Sequence, residues 1–159
     1  SEVIVALPPA LASAPPAWLS AVKVIEGGAT RQASVANAFD VVARDAQIVL
    51  VHDAARPFVG ADVISRAIDG AHVHGAAIVA VPVHDTVKRV DRTKAAPVIV
   101  ETLPRDAIYM AQTPQAFKRD VLAKAVAVGR SGIELPPVFV ALRDFVAGAQ
   151  FLAVLVLDA

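Results

Sequence analysis

Three short polar strings interrupt an otherwise apolar chain, and each holds residue types suited to a phosphorylated ligand. The first is Gly27-Gly28-Ala29-Thr30-Arg31-Gln32-Ala33-Ser34. Its paired glycines allow close backbone approach and positive φ. The helix expected to follow would offer free N–H groups and a positive dipole end to an anion. Arg31 and Ser34 would share one face of its first turn. A tight strand-to-helix turn capped by Thr30 is the plainer reading of the same residues.

The second string is His52-Asp53-Ala54-Ala55-Arg56-Pro57. Asp53 could hold a metal or a hydroxyl, and Arg56 could fork onto a phosphate or a carboxylate. The two alanines would let a ligand pass close to the backbone. An Asp–Arg salt bridge within the loop explains the same residues equally well. His52 could act as a base, but reads more simply as a hydrogen-bonded structural histidine. The third group is His84-Asp85-Thr86 together with the segment from Arg105 to Gln115. There Arg105 could anchor an anion, with Gln112 and Thr113 as hydrogen-bonding groups. His72 and His74 alternate on an expected helix and cannot share a face as metal ligands. Trp18 and Tyr109 read as core aromatics.

These strings need elements to position them, and short β-branched runs alternating with helical patterns supply candidates. Strands are expected at Val3–Leu7, Val22–Ile25, Gln47–Val51 and Ala76–Val83, the apolar ones reading as buried on both faces. Helices are expected at Thr30–Arg44, where Val35, Ala38, Phe39 and Val42 recur at helical spacing, and at Asp62–His74. A third helix is expected at Phe117–Val128, stopped by Gly129. A hairpin is expected over Thr86–Thr102, and Phe151–Leu157 suggests an edge strand. This rhythm points to a parallel sheet covered by helices on both faces, with ligands outside the carboxyl ends of its strands. The three polar strings fall at those ends.

Composition bounds the rest. The 159 residues carry 15 Lys+Arg against 15 Asp+Glu, with 56% hydrophobic and 19% charged types. Disorder is excluded by that hydrophobicity, and a bulk nucleic-acid binder by the zero net charge. Lack of cysteine removes disulfides, thiolate zinc sites and cysteine nucleophiles. No apolar run approaches the roughly 20 residues of a membrane span, and Ser1–Leu7 lacks a basic signal-peptide start. A soluble, cytoplasmic protein is expected.

Taken in order, GGATRQASV, VHDAARPFV, PVHDTVKRV and ETLPRDAIYMAQTPQAF resemble the 2-C-methyl-D-erythritol 4-phosphate cytidylyltransferases, from Ser1 to about Gly129. HDAARP and AQTPQ carry most of that resemblance, and ribitol phosphate cytidylyltransferases share much of the pattern. The resemblance implies an α/β fold with a Rossmann-like, mostly parallel sheet, helices on both faces and a protruding β-hairpin arm. It implies transfer of a cytidylyl group from CTP to a polyol phosphate, with Mg2+ assisting and pyrophosphate released. Asp53, Arg105 and Thr86 would then be the catalytic set. Gly27, Gly28, Arg31, Ser34, Ala54, Arg56 and Thr113 would bind substrates, and Asp53 would be the candidate metal ligand. The arm at 86–102 would form a homodimer in which Arg105 reaches the neighbour's site.

The departures set further expectations. The family's first strand and Gly-rich triphosphate loop have no counterpart in residues 1–159, nor do its later Thr-Asp and Asn-x-Lys segments. The tail 135–159 matches nothing, so one nucleotidyltransferase domain is expected, shorter than a whole catalytic unit. A longer polypeptide, even a bifunctional pathway enzyme, is the preferred account. Each missing triphosphate contact would be worth about 1.5–3 kcal/mol, making this chain alone a poor enzyme. A ribitol phosphate acceptor and a non-catalytic nucleotide-binding or dimerisation module are the alternatives.

Overall fold

In the computed structural model the described residues are 1–131, together with the backbone of a strand at Leu152–Leu157. They divide into two units, Ala80–Gln112 and the remainder. Eight strands occur among the described residues: β1 Glu2–Leu7, β2 Lys23–Glu26, β3 Ile48–Asp53, β4 Ala76–Pro82, β5 Lys88–Asp91, β6 Val98–Thr102, β7 Tyr109–Lys118 and β8 Leu152–Leu157. The helices are α1 Pro9–Ala12, α2 Arg31–Asp40, α3 Ala61–His74 and α4 Arg119–Ser131.

The larger sheet runs β2-β1-β8-β3-β7-β4. β1 pairs parallel with β2, placing Ile4 opposite Lys23. β8 lies antiparallel to both β1 and β3, and β3 antiparallel to β7. The sheet is therefore mixed, which corrects the mostly parallel expectation. An all-apolar run reports cover on both faces, not the direction of its neighbour. β8 also corrects the edge placement, for it sits inside the sheet. Its sequence, LAVLVL, has none of the charges that blunt an edge strand. Apart from that backbone, the tail 135–159 lies outside the described residues.

β3 organises the core through its two-residue alternation. Val49 and Val51 join Ile4, Val35, Ala38, Phe117 and Leu122 in one buried cluster, fed by α2 and α4. Ile48 and Leu50 join Ala67, Ala71 and Ala116 in a second, under α3. Helices thus cover both faces. Each large side chain so buried contributes about 1.5–3 kcal/mol. β3 is held at its base where Arg119 N–H donates to Gln47 O at 2.9 Å.

Local chemistry sets the helix ends. Thr30 caps α2, its Oγ1 accepting from Ala33 N–H at 3.1 Å. α3 stops at Gly75, which takes φ 89° and donates its N–H to Ala71 O. The helix expected at Phe117–Val128 begins two residues later, because Phe117 and Lys118 pair with Val49 and Ile48 as the end of β7. Gly129 does not stop it either. It lies inside α4, where a Cβ would meet only the movable end of the Gln32 side chain.

Two aromatic expectations are also corrected. Trp18 is 79% exposed and Tyr109 62% exposed. Trp18 sits on a single helical turn, Ala17–Leu19, that buries Leu19 instead. Tyr109 opens β7 before that strand reaches its buried stretch, Thr113 to Phe117.

In the unit Ala80–Gln112, β5 and β6 pair antiparallel, with Lys88 opposite Thr102 and a register shift between Arg89 and Val90. Arg89 pairs with Glu101, and Lys88 Nζ donates to Thr102 Oγ1 at 2.7 Å. Asp91 Oδ1 accepts from Thr93 N–H and Oγ1–H, which holds its carboxyl below the ordinary value, the backbone bond being the larger cause. No helix among the described residues is long and apolar enough to cross a membrane.

Candidate functional site

The first polar string forms a knot of local hydrogen bonds after β2. Gly27 N–H donates to Leu7 O at 2.7 Å, tying the turn to the end of β1. Gly28 N–H donates to Ser34 Oγ at 3.0 Å, and that hydroxyl donates to Thr30 O at 3.0 Å. A Cβ on Gly28 would lie 2.3 Å from Ala33 Cβ, so only glycine lets the turn fold onto the helix. Ser34 therefore shapes the turn, with its donor and one acceptor lone pair engaged inside it.

Arg31, the first residue of α2, points back to the carboxyl end of β3. Its Nε and Nη2 donate to Asp53 Oδ1 at 3.1 and 3.0 Å. The Arg31 side chain is 4% exposed and that of Asp53 14%, so this ion pair is largely withdrawn from water. Arg56 approaches the other oxygen, with Nε 3.6 Å from Asp53 Oδ2, while its own side chain is 49% exposed. The backbone fixes both partners: Arg56 N–H donates to Asp53 O at 2.9 Å, and Asp53 N–H to Thr113 Oγ1 at 3.3 Å. The loop salt bridge and the turn are both real, and they are joined through one carboxylate.

Of the expected site residues, Gly27, Gly28, Arg31, Ser34, Asp53, Ala54, Arg56 and Thr113 all belong to the larger unit. Ala54 is exposed on the loop after β3. Thr86 and Arg105 belong to the unit Ala80–Gln112, both exposed, and Arg105 Nη1 donates to His84 O at 2.8 Å. His52 is buried, with Nε2 3.0 Å from Arg56 O, which suits the structural reading.

Other features of the site escaped sequence reasoning. Gln115 is 3% exposed, and its Oε1 has no hydrogen-bond partner; neither has His52 Nδ1. Gln115 pairs with Val51 in the register, two residues from Asp53 and from Thr113. A glutamine in a buried strand was the available signal, since such groups rarely go unsatisfied without reason. Phe58, at 97% exposure on the loop after Arg56, is a second. A cavity of about 240 Å3 between α2 and α4 is lined by none of the expected ligand residues.

The donors do not build a metal cage. Magnesium sites draw on one or two carboxylates beside phosphate oxygens. Asp53 is the single acid of the expected set, and each of its oxygens faces a guanidinium. No group of three or more His, Asp or Glu able to hold a metal occurs among the described residues.

Comparison with known proteins gives this geometry a context. The family model described as IspD, 2-C-methyl-D-erythritol 4-phosphate cytidylyltransferase, matches residues 1–136. A protein of that name from Acidobacterium capsulatum is 49% identical over 107 residues, covering 67% of this chain and 45% of its own length. A bifunctional enzyme IspD/IspF from Anaeromyxobacter dehalogenans is 45% identical over 106 residues, 67% of this chain and 27% of its own. The crystal structure of 2-C-methyl-D-erythritol 4-phosphate cytidylyltransferase from Thermus thermophilus superposes with a TM-score of 0.73 at 36% identity, over 94% of this chain and 70% of that one. The chain spans less than half the length of the curated relatives it matches.

Proposed function

This chain belongs to the 2-C-methyl-D-erythritol 4-phosphate cytidylyltransferase family, and from that membership we propose that it takes part in moving CMP from CTP to 2-C-methyl-D-erythritol 4-phosphate. The observation that carries the reading is the joined set at the end of β3: Gly28, Ser34, Arg31, Asp53 and Arg56, linked through one turn and one carboxylate. A phosphate oxygen of the acceptor attacks the α-phosphorus of CTP. The bond from that phosphorus to the bridging oxygen breaks, and pyrophosphate leaves with the electron pair. No proton need move in this step, so the chain's task is positioning and charge neutralisation.

Within that reading the Gly27-Gly28 turn with Arg31 and Ser34 borders the cytidine half, and Ala54 faces the nucleotide through its backbone. Asp53 stands between nucleotide and acceptor, orienting Arg56 toward phosphate. Thr86 and Arg105 serve the acceptor phosphate, and Thr113 steadies Asp53. Mg2+ would come bound to CTP and would supply neutralisation of the triphosphate charge, with no ligand drawn from this chain's site residues. The exposure of Val98, Ile99 and Val100 on β6 supports a homodimer built through 86–102, with Arg105 serving the partner's site. A cysteine-free chain suits the reducing cytoplasm.

The test is pyrophosphate release from CTP in the presence of Mg2+, with and without 2-C-methyl-D-erythritol 4-phosphate. Release that depends on the acceptor supports the reading. CTP binding by the whole protein with no turnover on any polyol phosphate would sink it.

A further inference from the structure

At the opposite end of β3 from Asp53, a second concavity has its own charge character. A cleft of about 390 Å3 opens where β3 begins and β7 ends. It brings Arg44, Lys118 and Arg119 together with one carboxylate, Asp120, over Ala46 and Ile48. In a chain of zero net charge this is a local concentration of cations. Asp120 is moreover 3.7 Å from Lys124 Nζ. The six residues of β3, at roughly 3.3 Å each, set the cleft about 17 Å along the strand from Asp53.

The cations are held in place by the fold. Lys118 ends β7 opposite Ile48, and its N–H donates to Gly75 O at 2.8 Å. Arg119 Nε donates to Ala43 O at 3.2 Å, and its guanidinium lies 5.1 Å over the Phe39 ring. Those contacts fix the planar group while using one edge of it. Among the described residues, Arg44, Lys118 and Arg119 have no carboxylate within ion-pair distance, and the nearby Glu2 carboxylate accepts from Ala43 N–H at 2.7 Å. The start of α4 adds the positive end of its dipole.

We infer that this cleft is a second anion site, taking the phosphate or diphosphate group of a small phosphorylated molecule. The fixed fork of Arg119 matches paired phosphate oxygens, and Arg44 and Lys118 complete the charge. The cleft suits a small anion, and the zero net charge speaks against a nucleic-acid polymer. The site owes nothing to cytidylyl transfer and stands if that reading fails.

The experiment is a 1H–15N NMR titration of the whole chain with inorganic pyrophosphate at low ionic strength. The amides of Lys118, Arg119 and Asp120 should move in a saturable way. Arg44→Gln and Lys118→Gln should each weaken that response roughly tenfold, while Arg66→Gln, on the exposed face of α3, leaves it unchanged. Arg44 is an exposed residue, so its variant tests the site without touching the core. Orthophosphate moving the same amides more weakly would identify a diphosphate ligand; an equal response would identify a single phosphate. Unmoved amides, an equal effect from chloride at matched ionic strength, or a response unchanged by both substitutions would overturn the assignment.

Discussion

Asp53 serves two guanidinium groups whose surroundings differ, and that difference separates folding from chemistry. Arg31 is withdrawn from water and would lose a close, buried carboxylate partner with Asp53, whereas Arg56 is half-exposed. Losing one partner of a buried pair costs about 3 kcal/mol. Asp53→Asn should lower unfolding free energy by about that amount, and Arg31→Met combined with it should cost less than the sum of the two. Urea denaturation of the four-member cycle reads this directly, and additive losses would contradict a coupled pair. Arg56→Gln should leave stability within about 0.5 kcal/mol and instead weaken acceptor use in the pyrophosphate assay. The glycine of the turn makes a steric counterpart. Gly28→Ala sets a Cβ 2.3 Å from Ala33 Cβ, whereas the Cβ of Gly60→Ala meets only the movable end of the Asp62 side chain. A loss of about 1–3 kcal/mol is expected for the first, and little for the second; equal losses would show that the turn has slack the geometry denies.

Between elements, the α2–α4 contact has one ion pair that reports on pH. Arg130 donates to Asp40 Oδ1 at 2.9 Å and Oδ2 at 2.6 Å, and to Ala36 O at 3.1 Å. The hydrogen bond from Arg130 holds the Asp40 carboxyl below its ordinary 3.8 and raises Arg130 in return. A depressed carboxyl stabilises the fold above its unfolded pKa and loses that contribution as pH falls through the folded value. Both side chains are about half-exposed, so the contribution belongs with surface pairs, about 0.5 kcal/mol. The stability difference between wild type and Asp40→Asn should therefore hold steady above about pH 5 and vanish in acid below the folded pKa of Asp40; a difference growing in acid would reverse the sign. The same scale explains what could be read in advance. Apolar spacing in Val35, Ala38 and Val42 and the Thr30 cap were visible because helix burial and capping are local. The direction of β7 and the interior position of β8 were not, since they depend on neighbours chosen by the whole sheet. Tyr109–Lys118, with two glutamines, a threonine and a proline, lacks the β-branched signature of a strand, so its end reads as part of the next helix. The site was legible as a set of residues at the ends of strands. That Arg31 and Arg56 converge on Asp53 was not, because a residue's partner across 22 positions is set by the turn, not by its type.

For the molecule as a whole, neutrality conceals a division of labour. Arginines at Arg31 and Arg56 meet a shared acid at one end of β3, and those at Arg44 and Arg119 gather at the other. The apolar surface is divided as well. Val81, Val90, Val98, Ile99, Val100, Tyr109 and Met110 are all at least 38% exposed, and all belong to the unit Ala80–Gln112. Isolated exposed apolar residues are ordinary, but seven within one small unit is a concentration that water disfavours and a protein contact would cover. The unit carries its own pairing through Arg89–Glu101 and Lys88–Thr102, so a charge placed on β6 should leave the hairpin formed. Ile99→Asp should therefore turn a dimer into a monomer with little change in circular dichroism, as read by sedimentation velocity. If Arg105 serves the partner's site, acceptor-dependent pyrophosphate release should fall with dimer content, while CTP binding at the Gly27–Ser34 turn persists. An unsubstituted protein that sediments as a monomer, or an Ile99→Asp monomer that retains full turnover, would separate this surface from the reaction.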